Sequence, residues 1–289
     1  RPSPALNLGT KNPSFKSISF TKLQPDRHIP PLKMQKSHFF TANLKSRGGR
    51  NQTDGNLMTE TSGKACVLCM KWGTPFSAHD VNMLFAAVRD NLPVDHDFIC
   101  ITDDTTGLDP AIKTHALSFP QLDQSEWVHG KWPKLLMFDR RIVQGYETAL
   151  FLDLDLLVTG ELTPLLHRVS ERGGLYLMPK FRAFVWRAIP AAIWDRVPGL
   201  MNLVTRGNSS VVGFIPKQQF HLYDDFDAPR DLRAYKNDQD YISGRAWRRR
   251  CYPKNWCIGI IHLVPYWPFN LIFRKYRNLP KRPKIVIFN

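Results

Sequence analysis

Ala149-Leu-Phe-Leu-Asp153-Leu-Asp155-Leu-Leu-Val158 is the stretch that decides the fold. The apolar run 148–152 is predicted as a buried strand, and it ends in two aspartates separated by one residue. Open α/β sheets bind ligands at the carboxyl ends of their strands, and two carboxylates placed there can hold one hard cation. We therefore expect Asp153 and Asp155 to bind Mn²⁺ or Mg²⁺, which prefer oxygen ligands. A D-x-D pair also occurs by chance, so the alternative that these are two surface aspartates in a turn stays open.

Strands and helices are predicted to alternate on both sides of this stretch. Before it, the sequence predicts strands at 65–70, 98–102 and 115–119, a helix capped by Ser77 that runs to Asn91, and a helix at 134–144. After it, the sequence predicts strands at 174–178, 208–215, 258–264 and 284–288, and a short helix at 237–247. This order predicts an α/β domain with a Rossmann-like, mostly parallel central sheet flanked by helices.

The charge of the chain is unevenly distributed. Its 289 residues carry a formal net charge of +15, and residues 1–64 contain eleven Lys and Arg against three Asp and Glu. Because this segment has little hydrophobic periodicity, we expect a disordered basic tail at 1–64 and a folded domain at 65–289. The basic balance fits an anionic partner such as a nucleotide diphosphate, an acidic glycan or a lipid surface.

The sequence predicts a cytoplasmic protein. No apolar run approaches the roughly 18–20 residues of a membrane-spanning helix, and no apolar leader marks a secretion signal. Five cysteines form an odd, sparse set that does not make a disulfide framework. Cys66 and Cys69 form a C-x-x-C pair, but a strand would point their side chains to opposite faces. We therefore expect core cysteines there rather than a redox or zinc site.

The segment Gly145–Val158 resembles the strand, D-x-D, strand block of GT-A glycosyltransferases, especially glycosyltransferase family 8 and its bacterial relatives. Three further segments match this family in the same order along the chain. Trp132–Leu136 is similar to the basic helix that reaches the donor, and Asn208–Phe214 to the strand that lines the donor sugar. Asn237–Ile242 is similar to the helix start that contacts the transferred sugar. The resemblance covers residues 65–289.

The resemblance implies a GT-A fold and a retaining hexosyltransferase. Its donor would be a nucleotide diphosphate sugar, with a UDP-sugar favoured, and its acceptor a glycan or a lipid-linked molecule. Asp153 and Asp155 would hold Mn²⁺ or Mg²⁺, which neutralises charge on the leaving diphosphate. The implied donor-binding residues are Lys71, Trp72, Gly73, Thr74, Lys134, Asn208 and Ser209. The implied catalytic residues, which hydrogen-bond sugar hydroxyls, are Asp238 and Gln239.

Several of these residues have a plainer interpretation. For Trp72, the resemblance implies stacking on the nucleotide base, and the alternative is a partly buried packing residue. Lys134 has the alternative of a solvated helix lysine. For Asp238 and Gln239 the alternative is a helix N-cap.

The sequence departs from the family after its last predicted strand. The family usually has a histidine there as third metal ligand, followed by a Gly-Lys-type phosphate-binding segment. Here 284–288 is followed by Asn289, so either Asn289 replaces the histidine or the sequence is truncated. Both affect metal affinity and turnover. His262 is a candidate substitute, although the apolar run around it favours a core histidine.

Two other functions stay open at this point. A haloacid dehalogenase-type phosphatase also has a strand ending in D-x-D, but its later G-D-x-x-x-D-like motif is missing here. A GT-A domain that has lost activity and acts as a binding protein fits the departure at Asn289. Basic and aromatic residues at 248–250 and 273–284 indicate a solvated face or peripheral contact with anionic lipid at the cytoplasmic membrane face. No nucleic-acid-binding motif accompanies them, so nucleic acid is not expected as a partner.

Overall fold

The computed structural model of the chain describes residues 64–127, 131–179, 207–259 and 283–288. The predicted tail lies outside these ranges apart from Lys64. His262, Asn289 and residues 273–282 also lie outside them, so the expectations placed on those residues stay predictions.

Ten strands occur in the described ranges. They are β1 (Ala65–Lys71), β2 (His96–Thr102), β3 (Lys113–Ala116), β4 (Thr148–Leu152), β5 (Leu156–Val158), β6 (Leu175–Pro179), β7 (Gly207–Phe214), β8 (Arg249–Cys251), β9 (Cys257–Gly259) and β10 (Ile285–Ile287). Each predicted strand is present with small shifts at its ends, and β9 covers the described part of 258–264. The short strand β5 is the one that the resemblance implies after the D-x-D pair, and the short strand β8 is additional to the prediction.

The larger sheet confirms the predicted mostly parallel arrangement. Its seven strands lie in the order β3-β2-β1-β4-β7-β6-β8. Strand β7 is antiparallel to its neighbours β4 and β6, and the other neighbouring strands are parallel. Because β7 is reversed, its first residues lie at the same edge as the carboxyl ends of β1 and β4. That edge is where an open α/β sheet places its ligands.

Apolar side chains cover both faces of this sheet. Alternate residues of β1 belong to opposite core clusters, with Cys66 and Leu68 in one and Val67 and Cys69 in the other. The prediction that the C-x-x-C thiols point to opposite faces is therefore confirmed. Cys66, Cys69, Cys100 and Cys257 are free thiols.

Six α-helices and three 3₁₀ helices occur in the described ranges. The α-helices are α1 (Ala78–Asn91), α2 (Arg140–Val143), α3 (Thr163–Arg172), α4 (His221–Asp224), α5 (Ala228–Ala234) and α6 (Asp238–Arg245). The 3₁₀ helices span Gln124–Glu126, Trp132–Phe138 and Pro216–Gln218. The predicted start of α1 is confirmed, because the Ser77 N–H donates to Asp80 Oδ2 over 2.7 Å at its N-cap. No helix in the described ranges is long and apolar enough to cross a membrane.

The predicted single helix at 134–144 is wrong. The structure instead has the 3₁₀ helix Trp132–Phe138 followed by the short α2. Asp139 separates them with an extended backbone, and its side chain accepts a hydrogen bond from the Arg141 N–H. An aspartate that caps the next turn in this way ends the preceding helix. The hydrophobic spacing of the segment carries no sign of this break.

A smaller three-stranded sheet in the order β5-β10-β9 continues from the end of β4. The residues Asp153-Leu154-Asp155 connect β4 of the large sheet to β5 of the small one. Strand β10 runs antiparallel to β5, and the Phe288 N–H donates to the Asp155 carbonyl oxygen over 3.0 Å. The two aspartates therefore lie at the junction of both sheets.

Candidate active site

Four elements bring predicted site residues together at the carboxyl edge of β4. Asp153 directly follows β4, and its N–H donates to the Ser210 carbonyl oxygen of β7 over 3.0 Å. The neighbouring Ser209 bonds to Asp238 in the first turn of α6. Lys134 of the 3₁₀ helix Trp132–Phe138 reaches Asp153.

Aromatic packing fixes the 3₁₀ helix that carries Lys134. The Trp132 ring is buried and lies edge-to-face on Tyr241 of α6, with ring centroids 6.1 Å apart. It also packs against Phe226 at 5.4 Å. These contacts couple the position of Lys134 to α6, which carries Asp238 and Gln239.

Lys134 and Asp153 form a buried ion pair. The Lys134 ammonium lies 2.7 Å from each carboxylate oxygen of Asp153, and Lys134 is only 9% exposed. Burial lowers the pKa of Lys134, but the carboxylates of Asp153, Asp238 and Asp155 outweigh it and raise that pKa overall. Lys134 is therefore not a solvated helix lysine. It is a buried cation paired with Asp153 and stabilised electrostatically by Asp238 and Asp155.

Asp238 is a buried carboxylate rather than a helix cap. Its Oδ2 accepts a 2.6 Å hydrogen bond from the Ser209 hydroxyl, and the residue is 1% exposed. The N-cap of α6 is instead Asn237, whose side chain accepts from the Asp240 N–H over 3.0 Å. Burial raises the pKa of Asp238, while Lys134 and the Ser209 hydrogen bond lower it by less.

Two oxygens in this region are buried without a hydrogen-bond partner in the described part of the chain. They are Oδ1 of Asp155 and Oε1 of Gln239. Burial, followed by the charge of Asp153, raises the pKa of Asp155, and Lys134 opposes this shift. Buried polar atoms are nearly always satisfied in native proteins, so each of these oxygens is suited to a ligand.

The residues fit a divalent cation held by Asp153 and Asp155. The unpartnered Asp155 oxygen supplies a hard ligand, and two carboxylates leave room for diphosphate oxygens, as Mg²⁺ and Mn²⁺ sites with substrate phosphates commonly do. Within the described ranges, no group of three or more His, Cys, Asp or Glu side chains lies close enough to hold a metal ion. The two candidate third ligands named from the sequence, His262 and Asn289, fall outside those ranges.

The loop after β1 is tied to the loop after β2. The buried Lys71 ammonium donates to the Asp104 carbonyl oxygen over 3.1 Å. The N–H of Gly73, which has a φ of 62°, donates to Asp103 Oδ2 over 2.9 Å. A positive φ favours glycine at this position. Strands β1 and β4 are parallel neighbours, so this loop and Asp153 lie at the same edge of the sheet.

The other predicted donor-binding residues have distinct surroundings. Trp72 is half-buried and packs edge-to-face on Trp127, with ring centroids 6.1 Å apart, while Thr74 is exposed. Asn208 uses its side-chain oxygen to accept from the Ser210 N–H over 2.7 Å. The structure thus places Trp72 as the packing residue of the plainer interpretation, and its stacking on a base stays a prediction.

Asp103 was assigned no role from the sequence, yet it contacts the predicted donor-binding loop. Its carboxylate holds the Gly73 backbone, so it shapes the loop expected to bind the nucleoside. The available signal was its position directly after β2, whose carboxyl end lies next to that of β1.

Comparison with known proteins identifies the fold. No protein-family model matches the sequence, and no curated protein matches it. An active-site mutant of LgtC aligns with a TM-score of 0.50 and 12% identity over 77% of this chain and 86% of LgtC. The bifunctional glycosyltransferase WbbM aligns with a TM-score of 0.51 and 14% identity over 78% of this chain and 46% of its own length. The chain therefore spans less than half of WbbM. The chain has the GT-A fold of these glycosyltransferase structures.

Proposed function

We propose that the chain is a glycosyltransferase that transfers a sugar from a nucleotide diphosphate sugar, preferably a UDP-sugar, to a glycan or lipid-linked acceptor. One observation carries this proposal. In a GT-A fold, the buried ion pair Lys134–Asp153 and the buried hydrogen-bonded pair Ser209–Asp238 lie on adjoining elements at the ligand-binding edge of the sheet. Perturbed, buried ionisable groups concentrate at functional sites.

Asp153 and Asp155 are the residues that would hold Mn²⁺ or Mg²⁺. When bound, the cation would neutralise the charge that develops on the leaving nucleoside diphosphate. Lys134 supplies a second positive charge, already oriented by Asp153 at 2.7 Å. A fixed cation costs little reorganisation during the reaction, so it stabilises developing negative charge more than a mobile one does.

The remaining residues divide between the two ends of the donor. The loop 71–74 lies at the carboxyl end of β1, where we place the nucleoside, and Asp103 holds its backbone. Asn208 and Ser209 lie in the first part of β7, next to Asp153, and we place the sugar beside them. Oε1 of Gln239, which has no hydrogen-bond partner in the described part of the chain, would accept a hydrogen bond from a sugar hydroxyl, because a hydroxyl would satisfy a buried acceptor.

The stereochemical outcome follows from the resemblance to glycosyltransferase family 8. We propose a hexosyl transfer that retains the anomeric configuration, carried out in the cytoplasm or at the cytoplasmic face of a membrane. Proton NMR of the first product formed would show an anomeric coupling that matches the donor. An inverted coupling would remove the link to family 8 and leave the GT-A fold untouched.

A catalytically inactive binding protein is the second candidate. It is favoured because both carboxylate oxygens of Asp153, the proposed metal ligand, already contact Lys134. A protein of this kind would bind the nucleotide sugar with metal but would release no free nucleotide from it over time.

Release of nucleoside diphosphate separates the two candidates. The full chain would be incubated with Mn²⁺ and a panel of UDP-, GDP- and ADP-sugars, with and without oligosaccharide acceptors. We expect at least one donor to release its diphosphate, and Asp153→Asn to abolish that release. Metal-dependent binding without release from any donor would support the binding protein. Neither binding nor release would contradict both.

A further inference from the structure

A basic and aromatic groove lies at the other end of α6 from Asp238. Its volume is about 610 Å³, and it is lined by Gln218, His221, Arg245, Ala246, Trp247 and Arg248. We propose that this groove binds an acidic saccharide, with its carboxylates on the two arginines and one sugar ring against Trp247. The proposal does not rest on the transfer reaction, because the groove is separated from Asp238 by the length of α6, roughly 10 Å.

A buried amide fixes the segment that forms one wall of the groove. Gln219 is fully buried, and its side chain donates to the Trp247 carbonyl oxygen over 2.9 Å and accepts from the Trp247 N–H over 3.1 Å. His221 bonds to the Arg245 carbonyl oxygen over 3.0 Å. Hydrogen bonds from Gln219 and His221 therefore fix the backbone at 245–247, so the side chains of this segment are positioned before a ligand binds. A pre-organised site loses less entropy on binding.

Arg248 adopts a backbone conformation that arginine rarely takes. Its φ is 50°, and only one other non-glycine residue in the described ranges, Lys131, has a positive φ. A non-glycine residue in this region is strained, and such strain is found more often at functional positions. The opposite Gly174 accommodates the turn, since a side chain there would collide with the Arg248 backbone. The Arg248 guanidinium lies 4.9 Å from the Trp247 ring centroid.

The exposed groups of the groove match an acidic sugar. Trp247 is 44% exposed, so part of its ring surface is accessible to a ligand. Aromatic faces pack against the apolar faces of sugar rings, and guanidinium groups bind carboxylates through two parallel hydrogen bonds. Arg245 has one carboxylate nearby, Asp225 at 4.0 Å. Arg248 forms no ion pair within the described part of the chain. The groove therefore has positive charge to offer to a ligand.

The polar lining of the site favours a saccharide over a lipid surface. Trp247 lies in a shallow, open groove beside the polar side chains of Gln218 and His221 and the two arginines. Among the described residues that line the groove, no second large apolar side chain could enter acyl chains with it. Binding to anionic vesicles is accordingly an outcome that the test must distinguish.

Calorimetric titration of the full chain with a galacturonic acid hexasaccharide tests this inference. We expect binding that weakens as salt rises, and at least tenfold weaker binding of the neutral hexasaccharide maltohexaose. Trp247→Ala and Arg248→Gly should each weaken binding of the acidic hexasaccharide at least tenfold. The matched control is Arg89→Ala, an exposed arginine of α1 paired with Asp90, which should leave binding unchanged.

Arg248→Gly also separates a lost ligand contact from a lost fold. Glycine takes a φ of 50° without strain, so the melting temperature of this variant should be equal to or above that of the wild type. Four results would overturn the inference: no binding of the acidic hexasaccharide, wild-type binding in both groove variants, an equal loss in Arg89→Ala, or Trp247-dependent binding to vesicles containing one-fifth phosphatidylserine without any saccharide binding.

Discussion

The Lys134 ammonium occupies the side of Asp153 that a divalent cation would also approach. Both carboxylate oxygens of Asp153 are 2.7 Å from it, so metal and lysine compete for the same anion while the donor is absent. A donor diphosphate would give Lys134 a different anionic partner. Metal and donor should therefore strengthen each other's binding, since the coupling between two ligands is reciprocal.

The variant Lys134→Met tests this competition. Mn²⁺ should bind the nucleotide-free variant several-fold more tightly than the wild type, while UDP should bind less tightly in the presence of Mn²⁺. Free Mn²⁺ measured by electron paramagnetic resonance reports the first effect, and calorimetry the second. Losing one partner of a buried ion pair costs about 3–5 kcal/mol, so the variant should also melt at a lower temperature without metal.

Lys113→Met is the matched control. Lys113 is exposed, lies away from the site, and forms an ion pair with Asp97 in which the two charged atoms are 2.6 Å apart. It should leave Mn²⁺ affinity unchanged. If Lys134→Met also left Mn²⁺ affinity unchanged, the proposed competition at Asp153 would be wrong.

Asp238 gives a prediction on pH and stability. Burial raises its pKa in the folded chain above the ordinary value, despite Lys134 and the Ser209 hydrogen bond. Between these two pKa values the folded state binds a proton that the unfolded state releases. The stability that Asp238 contributes is therefore present in full at pH values below its pKa in the unfolded chain. It is lost as pH rises through its pKa in the folded chain. Asp238→Asn, which can keep the Ser209 hydrogen bond, should remove this loss.

Thermal melting across pH measures this effect. The melting temperature of Asp238→Asn relative to wild type should rise as pH increases above the ordinary carboxyl pKa of about 3.9, because the folded wild type then begins to lose the stability that the raised pKa of Asp238 provides. A variant that becomes relatively less stable over that interval would contradict the buried, raised-pKa carboxyl. Sugar transfer should fall in the same variant, because the carboxylate proposed to contact the sugar is gone.

Strand β7 shows what an element contributes beyond its residues. Its reversed direction brings Asn208 and Ser209 to the ligand-binding edge, while Gly213 lies near its other end. A side chain at Gly213 would meet Tyr252 and Val169, so glycine is needed there for packing. The sequence motif 208–213 thus combines site residues at one end with a packing requirement at the other.

Gly213→Ala should destabilise the chain by about 1–3 kcal/mol through overpacking. Urea unfolding followed by circular dichroism would measure it. Gly160→Ala is the control, because its nearest contact would be the Pro283 carbonyl oxygen at an ordinary 3.5 Å, and it should change stability little. Equal stability of both variants would show that β7 and Tyr252 are less tightly packed than the structure indicates.

The sequence predicted most elements because each is a short apolar run between polar residues. Strands such as 148–152 and the Ser77-capped α1 carry that signal locally. The break at Asp139 was missed because a capping aspartate looks like any polar residue in a helical pattern. The reversal of β7 was missed because strand direction depends on distant pairing rather than on the strand's own residues.

The site was predicted in part. The resemblance to GT-A glycosyltransferases picked out Asp153, Lys134, Ser209 and Asp238, and the structure forms the pairs Lys134–Asp153 and Ser209–Asp238 from them. The pairing of Lys134 with Asp153 could not be predicted, since it depends on how the 3₁₀ helix packs on α6. Asp103 was missed because its partner, the Gly73 backbone, leaves no trace in the sequence.

At the scale of the whole molecule, the D-x-D segment joins two sheets. It leaves β4 of the large sheet and enters β5 of the small one, and Phe288 beside β10 bonds to the Asp155 backbone. A metal and a diphosphate bound there would contact the junction from which both sheets extend. Ligands that bind only the folded state stabilise all of it, so they should raise the melting temperature of the domain as a unit.

Calorimetric titration of UDP into the full chain, with and without Mn²⁺ and alongside Asp155→Ala, tests the central claim most directly. The account predicts that UDP binds with Mn²⁺, binds at least tenfold more weakly without it, and loses the metal-dependent part in Asp155→Ala. UDP binding that is identical in all three conditions would contradict the metal site. If UDP, GDP and ADP all failed to bind under every one of these conditions, the proposal that the chain is a glycosyltransferase would be contradicted.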